Sequence, residues 1–170
     1  MPRALPKKIS GVAVYVGGIS YIGNAEWTPP NIAASVEESA MPGHGGAFDI
    51  PTGRLEKMDA ELRIMDTHPA LAALAANPHS MGTEVSCVST YTDGSADRRE
   101  RWDFRGLWRE QNREALGAGD TNIQVTYLIN IRTLAHTIDG RVVRKIDLEQ
   151  DIHEVNGVDI NAARRNALQA

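Results

Sequence analysis

Catalysis or metal binding needs reactive side chains at spacings that let them meet, and this sequence offers few. The five histidines are His44, His68, His79, His136 and His153. None lies at close metal-ligand spacing from another, and His153-Glu154 lacks the second histidine that a zinc-protease helix carries. They read as exposed or locally bonded imidazoles. Cys87 is the single cysteine. Flanked by Val85 and Val88 in a β-rich run, it reads as a small buried hydrophobe rather than a nucleophile, and it has no partner for an internal disulfide. There is no G-x-S-x-G elbow and no P-loop. Gly43-x-Gly45-Gly46 neither follows a strong strand nor opens a helix, so it is a weak phosphate cradle. Glu37-Glu38 lies in a polar run and reads as solvated. Arg98-Arg99-Glu100-Arg101 is the only dense basic cluster. It alternates faces of a strand and includes a glutamate, so salt bridging to a neighbouring surface fits better than a grip on nucleic acid. An enzyme is the least supported class, and neither a metal nor a cofactor is expected.

Any site here would be arranged around the stretch 122–149. Ile123, Val125, Tyr127, Ile129 and Ile131 fall on odd positions. Asn122, Gln124, Thr126, Asn130 and Arg132 fall on even ones, with Leu128 out of pattern. Alternation of this length predicts a long strand with one buried and one wet face. Asp139-Gly140 tolerates positive φ and predicts a tight reversal, with 141–148 as the returning strand. The wet face carries amides and hydroxyls more than lysine and glutamate, as a face lining something would.

The rest of the chain supplies further strands. Residues 9–16 form a β-rich run, and Gly17-Gly18 turns it into 19–22, a hairpin. A short strand over 23–28 stops at Pro29-Pro30, since proline has no N–H to donate. Residues 40–53 are dominated by glycine and proline and read as a loop, with Phe48 and Ile50 as apolar anchors. Its length fits either a functional contact or a disordered surface loop. In 55–65, Met58, Ala60, Leu62 and Ile64 share one face and Lys57, Asp59, Glu61 and Arg63 the other. Pro69 in a first helical turn, capped by Thr67 or Asp66, predicts a short helix over 70–76. That helix is apolar all round, hence buried, and ends at Asn77-Pro78. Strands follow at 83–92 and 99–108, the second with Trp102, Phe104, Gly106 and Trp108 on a core face. Residues 113–119 read as a loop or a frayed turn. Asn156-Gly157 predicts another turn, and Asp159 caps a final helix over 160–168.

The chain has 170 residues, 42% of them apolar, with a formal net charge of −4. This suits one domain over 1–170 with a sizeable core, and argues against a protein whose task is to hold nucleic acid. No apolar run of about 18 residues exists, so no membrane span is expected. The basic start M-P-R-A-L-P-K-K lacks the apolar core of a signal peptide, which implies synthesis in the cytoplasm without that export route.

Several landmarks, in order, carry a family resemblance. They are L-P-K-K near the start, V-Y-V-G-G-I-S-Y-I-G at 14–23, the proline-ended strand before Pro30 and the glycine-rich loop at 43–53. R-G-L-W-R-E at 105–110, I-D-G-R-V-V-R-K-I-D-L at 138–148, V-N-G-V-D and a closing R-R-N-A-L complete the series. Over nearly the full length, the chain resembles the major tail tube protein of contractile-tailed bacteriophages. The resemblance implies a mainly β domain, barrel- or sandwich-like, with a flanking α-helix and a short C-terminal helix. It implies hexameric rings stacked into a tube inside a contracting sheath, in the tail of a virion, meeting baseplate and tail terminator proteins and passing DNA without specific binding. Tubes of R-type tailocins and type VI secretion systems are similar and carry no DNA. A monomeric β-sandwich binding module, for carbohydrate for example, is the rival from another class; its aromatics would sit exposed on loops.

Within that frame, the expected inner wall carries Asn122, Gln124, Thr126, Asn130 and Arg132, with a carboxylate from a neighbouring strand offsetting Arg132. The two long hairpins, 83–108 and 122–148, are expected to join edge to edge around a ring. The loop bearing Gly43, His44, Gly45, Gly46 and Phe48 is expected to reach the next ring, where glycine permits close backbone approach.

Overall fold

The computed structural model describes residues 8–20, 25–40, 46–65, 68–92, 97–114, 117 and 123–169. Its strands are β1 (Lys8–Val16), β2 (Ile19–Ser20), β3 (Ala25–Thr28), β4 (Ala34–Ser39), β5 (Phe48–Leu55) and β6 (Asp59–Ile64), then β7 (Glu84–Thr92), β8 (Asp97–Arg113), β9 (Val125–Ile138), β10 (Arg141–Asp147), β11 (Ile152–Val155) and β12 (Val158–Asp159). Two short helices, α1 (Pro69–Ala72) and α2 (Ala162–Gln169), join them. The protein is thus mainly β, with a C-terminal helix, as expected.

The antiparallel sheet runs β12-β11-β10-β9-β8-β7-β1-β2, with β6 also on β9 and β3 on β6. β9 is the fork. One flank pairs with β8 along its whole length, while the other is shared by β6 over Val125–Asn130 and β10 over Thr133–Ile138. The β6–β3 branch curls back until β3 lies beside β1, their Cα atoms within 8 Å, although the two strands do not pair. The sheet thereby wraps a core of Val14, Val85, Phe104, Trp108, Tyr127, Ile129 and Leu134, among others. Trp27 of β3 packs across this core on Trp102 and Phe104 of β8, with centroids 5.7 and 6.5 Å apart. Trp108 meets Tyr127 edge-on at 5.3 Å. Burying each large side chain contributes about 1.5–3 kcal/mol.

The alternation on β9 holds through Ile131 and then slips. Gly106 faces Ile131 and Arg105 faces Thr133, so Arg132 has no opposite number. That extra residue exchanges the two faces, which is why Leu134 is the next buried side chain. A matching extra residue, Arg109, sits on β8.

Several expectations are corrected. Residues 40–53 are not all loop: β5 pairs with β4 as a separate two-stranded sheet, an arm beside the main one. Phe48 and Ile50 are 42% and 40% exposed, so they anchor nothing in the core. Cross-strand register puts Phe48 and Ile50 on one face of the arm with Ser39 and Glu37, and Val36, Glu38, Asp49 and Pro51 on the other. The first helix spans four residues rather than seven, because Ala76 takes a left-handed φ of 56° and its N–H turns to Trp108 O at 2.9 Å. Only Leu71 is buried in it, and its cap is His68, whose Nδ1 accepts from Ala70 N at 3.3 Å; the expected caps Asp66 and Thr67 lie outside the described residues. The 3-10 turn Pro78–Gly82 follows, where buried Ser80 Oγ accepts from Trp108 N at 3.1 Å. This segment therefore covers, as far as Trp108, the edge of β8 that β7 leaves bare. The final helix starts at Ala162, two residues late, with Asp159 accepting from Asn161 N at 3.0 Å.

The largest correction concerns edges. β7 is covered by β1, β10 by β11, and both flanks of β9 are paired within the chain. Most of the edges of the two long hairpins are thus covered within the chain, the end of β8 beyond Trp108 excepted. Among the described residues, free edges lie on β1 before Tyr15, on β2, on β3 opposite β6, on β8 beyond Trp108, on β12 and on the arm.

Candidate assembly surfaces

Asn122 lies outside the described residues. Gln124 is half-buried just before β9, while Thr126 and Asn130 share the non-core face of its first half. The structure brings these two together but sets charge beside them, since Thr126 pairs with Arg63 and Asn130 with Asp59 on β6. Asn130 Nδ2 donates to Asp59 Oδ1 at 3.0 Å and to Met58 O at 3.2 Å. The charges are locally cancelled: Lys57–Asp59 at 2.7 Å, Arg109–Asp59 at 3.7 Å, Arg63–Glu61 at 3.4 Å and Arg63–Glu26 at 3.5 Å. Burial pushes the Asp59 carboxyl up, but hydrogen bonds from Lys57 and Asn130 and the charges of Lys57 and Arg109 hold it below its ordinary value. Arg132 projects from the bulge and pairs with Glu149 at 3.2 Å, so the expected offsetting carboxylate comes from the turn after β10.

A second wet strip was not foreseen. Past the bulge, Thr133, Ala135 and Thr137 share the non-core face with Ser86 of β7 and with Arg101, Asp103 and Arg105 of β8. Arg105–Glu84 and Arg101–Asp103 close at 2.6 and 2.7 Å, and Ser86 Oγ donates to Asp103. Exposed pairs of this kind contribute up to about 1 kcal/mol each. Exposed Arg99 and Lys145 share this face without an ion pair among the described residues, so the strip keeps some unpaired positive charge. The signal in the sequence was T-x-A-x-T at 133–137, which continues the alternation in the opposite phase.

Of the residues named for the glycine-rich contact, Gly46 and Phe48 lie at the start of β5 and are exposed, while Gly43, His44 and Gly45 fall outside the described residues. The arm is tethered at its base. Arg164 of α2 donates to Gly53 O and to both carboxylate oxygens of Asp151. Gly53, with φ of 74°, sits in an irregularity where Ser35 opposes Thr52–Arg54. An arginine on the last helix therefore helps set where the arm points.

No arrangement for bond-making chemistry appears on these surfaces. Among the described residues no three His, Cys, Asp or Glu side chains form a metal-holding group. No described helix is long and apolar enough to cross a membrane. Burial, with the nearby Asp103 charge, pushes the Cys87 thiol far up. Cys87 is therefore expected to resist alkylation in the folded protein at pH 8 and to react fully in denaturant, read by mass spectrometry.

One polar cluster lies under the barrel seam. Glu100, its side chain 21% exposed, accepts from Tyr91 Oη at 2.6 Å and Trp102 Nε1 at 3.0 Å and meets His136 Nε2 at 2.7 Å. His136 stacks on Trp102 at 3.8 Å. Burial pushes the Glu100 carboxyl up, but its bonds from Tyr91, His136 and Trp102 outweigh that and hold it low. The Tyr91 hydroxyl is pushed up to about 12, chiefly by its bond to Glu100. A lowered folded value means that the stabilisation is present above the ordinary glutamate range and lost as pH falls through the folded value. Glu100→Gln is expected to cost about 1–2 kcal/mol at pH 7. The gap from wild type should shrink on acidification below about pH 4, read by urea unfolding at each pH.

Residues 6–168 match the sequence model of the family described as phage tail tube protein FII. The chain belongs to that family. A tail tube protein is a structural component of a phage tail rather than an enzyme. Solved structures show that the tail tube fold extends further. The chain is similar to a component of the sheath–tube complex of an extracellular contractile injection system (PVC) in the extended state, at TM-score 0.58 and 14% identity, covering 78% of this chain and 91% of that one. It is similar to the sheath/tube terminator structure of the same system at TM-score 0.57 and 14% identity, covering 79% and 98%. The tube-terminating cap of the anti-feeding prophage matches at TM-score 0.55 and 14% identity, covering 81% and 94%. At such identities the likeness concerns fold. A sequence search of curated proteins finds no match.

Proposed function

We propose that this tail tube protein forms the inner tube of a contractile tail, as hexameric rings stacked inside a sheath and bounded by baseplate and terminator proteins, and that DNA passes along the bore. The observation that carries the assembly is the β4–β5 arm. An isolated two-stranded hairpin is at best marginally stable in water, and this one exposes most of its residues. Its natural support is a second copy, in the next ring, with the glycine-rich tip of Gly43, His44, Gly45, Gly46 and Phe48 making close contact. The ring contact falls to the free edges of β1, β3 and β12, in place of the long hairpins. Each backbone bond formed there contributes roughly 0.5–1.5 kcal/mol.

The bore is lined by the non-core face that holds Gln124, Thr126, Asn130 and Arg132; Asn122, named with them, lies outside the described residues. Neutral groups and paired charges along such a wall give a polyanion little to hold, because affinity for DNA grows with the number of unpaired cations facing its phosphates. The double substitution Gln124→Lys, Asn130→Lys tests the wall. Tubes are expected to assemble and to retain DNA in a salt-dependent way, slowing delivery. Unchanged delivery from assembled variant tubes would show that these residues face elsewhere.

The likeness to injection-system components favours a second reading, a tube without DNA cargo. Finding the protein in particles that contain no genome would select it.

A further inference from the structure

The barrel is not closed between β1 and β3, and the opening is furnished. A groove of about 540 Å³ lies there, with Ile9 and Val12 on one bank, Trp27 and Glu26 on the other, and Tyr91 and Trp102 on the floor. Both banks are strands whose facing edges have no partner among the described residues. Aromatic-lined grooves of this kind suit proline-containing extended segments, whose rings lie on indole faces and whose conformation is largely fixed before binding. A carboxylate on the bank adds a preference for cations, which indole faces share.

The chain itself carries one segment of that chemistry. Residues 1–7 read M-P-R-A-L-P-K, with two prolines, two cations, a leucine and no acid. We propose that the groove receives this segment from a second copy of the chain. The second copy is favoured over the same one because Lys8 pairs with Thr92 at the outer end of β7. Reaching its own groove would require the chain to reverse at Lys8. In a polyproline conformation seven residues span about 22 Å, enough to cross to an adjacent subunit. The arm is the wrong occupant, since Glu37, Glu38 and Asp49 would bring acid to the Glu26 bank. Glu26, its side chain 61% exposed and 3.5 Å from Arg63, is the accessible carboxylate. Arg3 or Lys7 would share it.

The idea rests on self-assembly, but it is tested on the undiluted binding step alone. A synthetic peptide of residues 1–8 is titrated into the full-length protein while tryptophan emission is followed. A saturable change is expected, at least tenfold weaker for a peptide carrying Arg3→Glu and Lys7→Glu. Protein with Glu26→Lys should reverse the order and favour the acidic peptide, its unchanged melting curve showing that it is folded. Two outcomes overturn the proposal: no saturable change in full-length protein shown by sedimentation to be monomeric, or equal binding of both peptides. Tubes seen by electron microscopy without peptide binding would remove the groove and leave the tube. Peptide binding without tubes would do the reverse.

Discussion

Gly106→Ala is expected to unfold the subunit at room temperature, at a cost of roughly 4 kcal/mol or more. A Cβ at this position would stand 2.0 Å from Asn130 O, 2.8 Å from its carbonyl carbon and 2.9 Å from Ile131 Cα. All three are backbone atoms of β9, the strand paired on both flanks, so no side chain can swing aside. The close approach arises from the bulge itself, where Gly106 faces Ile131 beside the unpaired Arg132. Gly82→Ala is the control. Nothing lies within 4 Å of the Cβ it would add, and a change within about 0.5 kcal/mol is expected. Urea unfolding followed by circular dichroism reads both. A Gly106→Ala protein with wild-type stability would mean that the bulge is not where the register places it.

Phe48→Glu combined with Ile50→Glu is expected to abolish tube formation while leaving the subunit folded. Both side chains lie on one face of the arm, outside the main core, and are about two-fifths exposed. In a stacked tube the apolar part of this face would be covered, and two carboxylates added beside Glu37 would be desolvated and repelled there, each at a cost of several kcal/mol. That penalty recurs at every subunit of every ring. The measurement is a thermal melt together with sedimentation. A melt within a few degrees of wild type and complete loss of fast-sedimenting material are expected. Tubes formed by the variant would show that the arm is not a ring-to-ring contact.

How much of this is legible in the sequence depends on the distance over which each feature is decided. The buried face of β9 was readable because Val125, Tyr127, Ile129 and Ile131 announce it within seven residues. The core face of β8 was readable from Trp102, Phe104 and Trp108 for the same reason. The bulge at Arg132 was not, since it is defined by what β8 places opposite. Its trace in the sequence is the three-residue step from Ile131 to Leu134. The arm was read as loop because Pro51 and Gly53 punctuate it, yet Pro51 sits in a strand whose outer edge is free and Gly53 in an irregularity, where both residues are tolerated. The state of the sheet edges lay furthest from view. That β1 covers β7 depends on pairing residues 69 to 84 positions apart, for which local pattern holds no information. The candidate wall was therefore half legible: Thr126 and Asn130 share a face as the alternation required, but their charged neighbours on β6, and the Thr133–Thr137 strip, follow from the fork in the sheet.

Imaging the purified full-length protein by electron cryomicroscopy across a concentration series addresses self-assembly most directly. Stacked sixfold rings around an open bore are predicted, with the arm of each subunit seated on a subunit of the neighbouring ring. Uniform single subunits at the highest concentration, with β1, β3 and the arm all left bare, would contradict it.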